Sequence, residues 1–342
     1  MFSTTTFFHY SAYLPVLTNI MIPYSYLTEM GDIVTKKITI GIPRSFLYYK
    51  YKYLWETFFN KLGVSVIVSP NTNKDIMADG INYSIDECCL SSKIYMGHVY
   101  SLVNKVDYIL VPRFCSFGSR EAVCTKFNAM YDIVRNTFDN VKLIHYNVDV
   151  LKKKTEFKGF LKMGKMLNKN IIAVINAYLS AKREQKKQDF LSYKKQMELL
   201  NIENKLKILV ISHSYNTYDK LIGNPIIKYL EKFDVTPIYA DKFNDKEISE
   251  LSKNITTTLH WTYSKELVGA IEYVKDKIDG IMFVSTFPCG PDSLVNELCI
   301  RKIKNIPMLN IIIDEHQGEA GIHTRIESFV DIIKTKRKLT YE

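Results

Sequence analysis

The chain has 342 residues, of which 46% are hydrophobic and 24% charged, the composition of a globular protein long enough for two domains. Its net charge is +10, but much of the basic excess falls in residues 152–195 in a pattern typical of solvated helix faces, so we do not expect nucleic-acid binding. The six cysteines form no CxxC pair and no zinc-finger spacing, which argues against a secreted disulfide scaffold and favours a reducing, cytoplasmic compartment.

The first 29 residues differ from the rest because they are rich in Phe, Tyr and Thr and contain no Lys or Arg. They lack the basic start of a signal peptide, and Pro15, Asn19 and Pro23 interrupt any apolar run long enough to span a membrane. We therefore predict no membrane association. We interpret residues 1–29 as a disordered extension, or as upstream of a true translation start at Met30.

An internal duplication organises the chain that follows. In each copy an apolar strand leads through a polar loop into an amphipathic helix, and the apolar positions of the two helices are 171 residues apart. The predicted strands are 37–42, 64–69 and 106–111 in the first copy, and 207–211, 235–240 and 278–284 in the second. A last strand is expected to end at Asp149 in the first copy and at Asp314 in the second.

Strands that alternate with helices at this spacing are typical of βαβ units and parallel sheets. We therefore predict an α/β fold of two tandem Rossmann-like domains, residues 37–150 and 205–337, related by the duplication. The region between them, 151–204, has helical periodicity and is predicted to be a helical linker. Its apolar stripe is expected to consist of Ile171, Ile172, Val174, Ile175 and Leu179.

Two cysteine-bearing loops lie where ligands of open parallel sheets bind, outside the carboxyl ends of the strands. Cys124 follows the strand at 106–111 and Cys289 follows the strand at 278–284, so the duplication places them at equivalent edges. Cys89 precedes the helix that leads into the first of these strands. We expect the three thiols to meet where the two edges face each other and to bind a soft metal or an iron–sulfur cluster.

Other interpretations stay open at this point. A cytoplasmic cysteine is usually a small buried hydrophobe, as we expect for Cys88 and Cys299, and Cys115 is a reserve ligand. Zinc is an alternative metal, with His98 or His316 as a fourth ligand. The sequence contains neither a GxxxxGK[ST] phosphate loop nor a GxGxxG motif, which argues against intrinsic ATP hydrolysis.

Several short motifs, weak singly, together resemble one known family. They are Ile40–Arg44, Asp86–Leu90 with Lys93 and Gly97–His98, Val111–Arg113, Cys124–Lys126, His213–Asn216 with Tyr218–Asp219, Phe287–Leu294, and Asp314–His316 through Arg325. From about residue 37 to 334 the chain resembles the cysteine-containing domain that accompanies CoA-substrate enzyme activases, which is related to 2-hydroxyacyl-CoA dehydratase subunits and double-cubane-cluster proteins. Ser91 and Thr125 stand where that family tends to have proline.

The resemblance implies an iron–sulfur cluster, of the [4Fe–4S] type or a double cubane, on Cys89, Cys124 and Cys289, in an anaerobic setting. It implies low-potential electron transfer or reductive chemistry on an acyl-CoA or another small molecule, with an ATP-dependent activase supplying electrons in trans. The alternatives are a non-catalytic cluster carrier that docks an activator, and a cluster-free small-molecule binding module. The sequence leaves open whether the protein is an enzyme and whether it forms homo- or hetero-oligomers.

Overall fold

The computed structural model describes residues 37–243, 246–316 and 318–341, so the predictions for residues 1–29 and Met30 lie outside the described residues. The strands are β1 (Thr39–Ile42), β2 (Ser65–Val68), β3 (Tyr108–Leu110), β4 (Arg113–Gly118), β5 (Glu121–Ala122), β6 (Leu143–Ile144), β7 (Asn147–Asp149), β8 (Leu206–Ile211), β9 (Val235–Tyr239), β10 (Gly280–Thr286) and β11 (Met308–Ile313). The α-helices are α1 (Tyr48–Lys61), α2 (Lys74–Asn82), α3 (Leu90–Tyr100), α4 (Thr125–Thr137), α5 (Glu156–Met166), α6 (Ile171–Leu200), α7 (Ser214–Thr217), α8 (Gly223–Lys232), α9 (Lys246–Glu250), α10 (Thr262–Val274), α11 (Gly290–Lys302) and α12 (Glu319–Tyr341).

Two four-stranded parallel sheets carry the fold, one from each half of the chain. Their strand orders are β2-β1-β3-β6 and β9-β8-β10-β11. Numbered by chain order within each sheet, both sheets therefore have the same spatial order, 2-1-3-4. The predicted α/β fold with two duplicated parallel sheets is therefore confirmed. In both sheets the strand order reverses beside the first strand, and in open sheets of this kind that reversal marks the ligand-binding edge.

The central strands are mostly apolar, as is typical where helices cover both faces of a parallel sheet. All seven residues of β10 are buried, and in α1 the side chains of Trp55, Phe58 and Phe59 are buried against the first sheet, as the helical periodicity predicts. A strand does end at Asp149, as predicted, but it is not part of the main sheet. That position belongs to β7, which pairs with β4 in a small three-stranded sheet, whereas the short β6 completes the main sheet.

The linker is helical as expected, since α5 and α6 occupy most of it, but its predicted apolar stripe is partly wrong. Ile171, Ile172 and Leu179 are 61%, 65% and 44% exposed. The buried positions of α6 include Val174 and the small residues Ala177 and Ala181, followed by Gln185. Small side chains face α1 because the two helices pack closely, and the Gln185 amide accepts a bond from Leu54 N (3.1 Å) and donates to Lys50 O (3.0 Å). None of the described helices is long and apolar enough to cross a membrane.

Candidate functional site

Cys89, Cys124 and Cys289, the three predicted ligands, line one cavity. Each is the residue that immediately precedes a helix: Cys89 precedes α3, Cys124 precedes α4 and Cys289 precedes α11. The first two belong to the first half of the chain and the third belongs to the second half. The remaining walls come from Phe46, Ser91, Val123, Lys126, Phe127, His213, Tyr215, Trp261, Tyr263, Ser264, Thr286, Pro291 and Asp292.

The three sulfur atoms share the same backbone environment. A main-chain N–H from the first turn of each helix donates to the preceding sulfur: Ser92 to Cys89, Lys126 to Cys124, and Asp292 to Cys289. The first N–H groups of a helix have no partner within the helix, and its N-terminus carries partial positive charge. Three helix N-termini therefore converge on this cavity, where they favour negative charge on sulfur.

Burial works against that charge as long as the sulfurs are thiols. It raises the pKa of Cys89 to about 11, and it also raises the pKa values of Cys124 and Cys289. Mutual repulsion adds to this, because ionised Cys124 disfavours ionised Cys89, and Cys89 does the same to Cys289. A bound metal removes this penalty by replacing the protons, which is how structural thiolate sites normally ionise.

A second group at the cavity consists of Asp292, His213 and Tyr215. The Asp292 carboxylate pairs with His213 Nε2 at 3.0 Å and accepts a bond from the Cys289 thiol. Burial is the largest single influence and alone would lower the pKa of His213, but the charge and hydrogen bond of Asp292, together with the charge of Glu266, raise that pKa overall. The Tyr215 ring stacks on His213 with 5.1 Å between centroids. None of the three was predicted as a site residue from the sequence. The signal that could have found them is that they follow β8 and β10, the first and third strands of the second sheet.

Trp261 occupies the position that the duplication makes equivalent to Cys89. The two residues are 172 apart, each immediately precedes the corresponding helix (α3 for Cys89, α10 for Trp261), and both line the cavity. Cys124 and Cys289 correspond in the same way, each preceding the helix after the third strand of its sheet. The cavity thus has two pairs of equivalent corners, and of these four corners three carry a thiol and the fourth carries an indole.

The other cysteines do not line this cavity. Cys299 is 1% exposed inside α11, and Cys115 lies in β4 and is absent from the cavity wall. Cys88 is buried and its sulfur accepts a 3.0 Å bond from Lys126 Nζ. In the part of the chain that the structure describes, no three His, Cys, Asp or Glu side chains are grouped closely enough to hold one metal ion.

His98 does not serve the cysteine site as the zinc interpretation required. It is fully buried, with Nδ1 2.9 Å from Ser69 Oγ and Nε2 3.0 Å from Thr72 Oγ1. The Thr72 hydroxyl donates to Asp219, so we assign Nε2 as the protonated nitrogen that donates to Thr72. His316 is exposed and its backbone N–H bonds Asp314. The neighbouring Glu315 forms a 2.7 Å ion pair with buried Lys93 of α3.

The neutral, buried His98 should make stability depend on pH. Burial, with Arg44 adding to it, lowers the His98 pKa to about 3, against about 6.5 in the unfolded chain. Between these values the unfolded state binds the extra proton, so stability should fall by up to about 1.4 kcal/mol per pH unit as the pH drops from 6.5 towards 3. Urea unfolding of wild type and of His98→Gln across that range measures how the free energy of unfolding changes with pH. Asp219, the other titrating group in this network, is present in both proteins, so a difference between their slopes reports on His98. The prediction fails if the two slopes coincide.

A wide cleft of about 400 Å³ adjoins the cysteine cavity, and His213, Tyr215 and Tyr263 line both spaces. Residues after β1 and in α1 form one wall of the cleft, and residues after β8 and β9 form much of the other. A partly buried ion pair between Lys50 and Glu266 (2.5 Å) joins the two halves. The cleft is the route by which a small molecule can reach the aromatic boundary of the cysteine cavity.

Comparison with known proteins gives a family but no close structural relative. No curated protein matches the chain. Similar solved structures include ZnuA, at 10% identity over 87% of this chain and 98% of that chain, with a TM-score of 0.28. A Cd-bound periplasmic metal binding protein from Candidatus Liberibacter asiaticus has 14% identity over 88% and 99%, with a TM-score of 0.26. At these TM-scores the likeness carries no argument about fold or ligand.

The family evidence covers the first sheet, the linker and the start of the second sheet. The profile described as "CoA enzyme activase uncharacterised domain (DUF2229)" matches residues 39–243, which is more than half of the chain. This span contains Cys89 and Cys124 together with His213 and Tyr215, while Cys289 and Asp292 lie beyond it. The chain therefore belongs to the CoA enzyme activase-associated domain family.

Proposed function

We propose that Cys89, Cys124 and Cys289 hold an iron–sulfur cluster, of the [4Fe–4S] type or as part of a double cubane. The observation that carries this proposal is the convergence of three thiols, from both halves of the chain and each at a helix N-terminus, on one cavity. In a cluster each thiolate binds a different iron, so the sulfurs need not surround a single point as the ligands of one ion do. The donor set, all thiol, fits soft iron–sulfur chemistry.

The surrounding residues supply what such a site needs from the protein. Main-chain N–H groups of Ser92, Lys126 and Asp292 donate to the sulfurs and offset negative charge, and bonds of this kind tune reduction potentials. The cluster would supply a low-potential electron at the cavity. His213, paired with Asp292, and the Tyr215 hydroxyl are the proton-bearing groups at the boundary with the cleft.

The function we propose is low-potential electron transfer or reductive chemistry on an acyl-CoA or another small molecule, with an ATP-dependent activase as electron donor. Membership of an activase-associated family supports the proposal that an activase is the partner, and the adjoining cleft supports the proposal that a small molecule binds. A cluster carrier that only docks an activator is the second candidate. Turnover of an acyl-CoA in the presence of an activase and ATP distinguishes these two functions, since a cluster carrier would exchange electrons without consuming the acyl-CoA.

Iron analysis of cysteine variants tests the cluster itself. Protein prepared without oxygen should contain iron and acid-labile sulfide, with a paramagnetic-resonance signal after reduction. Cys89→Ser, Cys124→Ser and Cys289→Ser should each lose most of the iron, because removing a thiolate leaves the cluster with too few ligands.

Cys115→Ser is the matched control, because this half-buried cysteine lies outside the cavity and should keep the full iron content. Wild-type protein free of iron and sulfide, or variants of the three cysteines with wild-type iron, would contradict the proposal. In that event the cluster-free binding module would be the remaining interpretation.

A further inference from the structure

The wide cleft beside the cysteine cavity carries an excess of positive charge. Its walls contain five basic side chains and three acidic ones: Arg44, Lys50, Lys52, Lys220 and Lys242 against Asp189, Asp241 and Glu266. Two of the acids are already neutralised, because Lys50 pairs with Glu266 at 2.5 Å and Lys242 pairs with Asp241 at 3.0 Å. The charge that remains for a ligand is therefore mostly positive.

The unneutralised cations are Arg44, Lys52 and Lys220. No described carboxylate lies within 4.0 Å of any of them. Arg44 binds only neutral acceptors, donating from Nε to Ser69 O (2.9 Å) and from Nη1 to Asn71 Oδ1 (3.3 Å). Lys52 Nζ lies over the Tyr53 ring, 4.8 Å from its centroid. Cations that are not paired with a carboxylate along a concave wall attract an anion strongly, since the low-dielectric walls focus their field.

The third acidic residue does not cancel this excess. Asp189 accepts a 2.8 Å bond from the Gln185 amide, and burial raises its pKa, so its charge is held less firmly than that of an exposed carboxylate. Tyr49 and Tyr53 also line the cleft and offer phenolic hydroxyls as donors. The volume, about 400 Å³, falls at the lower end of the range of about 300–1,000 Å³ found for small-molecule pockets.

We infer that this cleft binds a small dianionic ligand, a phosphate monoester or a dicarboxylate, through Arg44, Lys52 and Lys220. The inference rests on the proposed function in one respect, because it names the charge of the molecule that reaches the cysteine cavity past His213, Tyr215 and Tyr263. Binding itself requires only the cleft. The charge balance, with two more basic than acidic side chains, matches a ligand with two negative charges.

Isothermal titration calorimetry with inorganic phosphate and with malonate, as separate probes, tests the inference. Binding of at least one probe should weaken about tenfold in Lys220→Gln and in Lys52→Gln, because each substitution removes one charge-assisted contact. Phosphate alone showing this loss assigns a phosphate ester, and malonate alone assigns a dicarboxylate. Lys187→Gln, which removes one charge from an exposed position of α6 outside the cleft, should bind as wild type does.

The titrations are made on protein with and without iron, so that failure of the cluster proposal and failure of this one are distinguishable. Anion binding by wild-type protein that contains no iron or sulfide even when it is prepared without oxygen would contradict only the cluster proposal. The inference is overturned if neither probe binds, or if Lys187→Gln weakens binding as much as Lys52→Gln and Lys220→Gln do.

Discussion

Replacing Gly97 by alanine should cost the protein at least about 3 kcal/mol of stability and abolish folding in a marginal background. A Cβ at this position would lie 1.9 Å from the carbonyl oxygen of Ile76 in α2, a distance that no real contact allows. The opposing atom is backbone and cannot rotate away, so α2 and α3 would have to separate. The usual gain of about 1 kcal/mol for alanine over glycine in a helix is too small to offset this.

The same substitution should disturb the candidate site, because α3 begins directly after Cys89. Urea unfolding measures the loss of stability, and Gly321→Ala is the matched control: it lies at an exposed position of α12, where nothing is within 4 Å of an added Cβ. That variant should be neutral or slightly more stable. Wild-type stability in Gly97→Ala would mean that the α2–α3 crossing is not as close as described.

Gly269 gives an independent check through the duplication, since it lies 172 residues after Gly97. Its added Cβ would lie 2.1 Å from the carbonyl oxygen of Ile248 in α9. The equivalent helix pair of the second half therefore crosses at the same position. Gly269→Ala should destabilise the protein to a similar degree, for the same physical reason.

Trp261→Cys should convert the three-thiol site into a four-thiol site. The duplication places Trp261 at the corner equivalent to Cys89, in front of α10, and its side chain lines the same cavity. A cysteine at this position would immediately precede a helix, as the other three cysteines do. Four cysteines are the full ligand set of a [4Fe–4S] cluster. Under mild oxidation this variant should retain all its iron, whereas wild type should lose part of it because one iron has no cysteine ligand.

Trp261→Ala is the control that distinguishes the effect of adding a thiol from the effect of removing the indole. It opens the same corner without adding a ligand, so it should lose iron on oxidation at least as fast as wild type. Iron content against time in air, with paramagnetic resonance, provides the measurement. Equal iron loss in Trp261→Cys and Trp261→Ala would show that this corner does not face the cluster, and the assignment of two pairs of equivalent corners would then fail.

The strands and helices that were predicted well are those whose signal is local. β10 and α1 follow from a buried apolar run and from apolar residues at helical spacing, and the presence of two similar parallel sheets follows from the duplication. The strand that ends at Asp149 was predicted but its sheet was not, because a strand's own residues do not reveal its pairing partner. β7 pairs with β4, and the two-residue β6 was too short to detect. The prediction of the apolar stripe on α6 was partly wrong because the face of α6 that is buried depends on how closely α1 approaches it.

The site divides in the same way. Cys89, Cys124 and Cys289 could be named from their place in loops at the sheet edges and from the family resemblance. His213, Tyr215, Asp292 and Trp261 line the cavity together only because the two halves pack edge to edge. Likewise, the cleft cations come from segments more than 150 residues apart, so no local pattern reports that Lys52 and Lys220 share a wall.

By itself, the sequence determined a duplicated α/β fold and three candidate thiols, because hydrophobic periodicity and repeat spacing are properties of neighbouring residues. Tertiary structure alone decided that the thiols share one cavity, that three helix N-termini converge there, and that a positively charged cleft adjoins it. The physical reason is that burial, charge balance and distance between the halves depend on packing across the whole chain, which no short segment encodes.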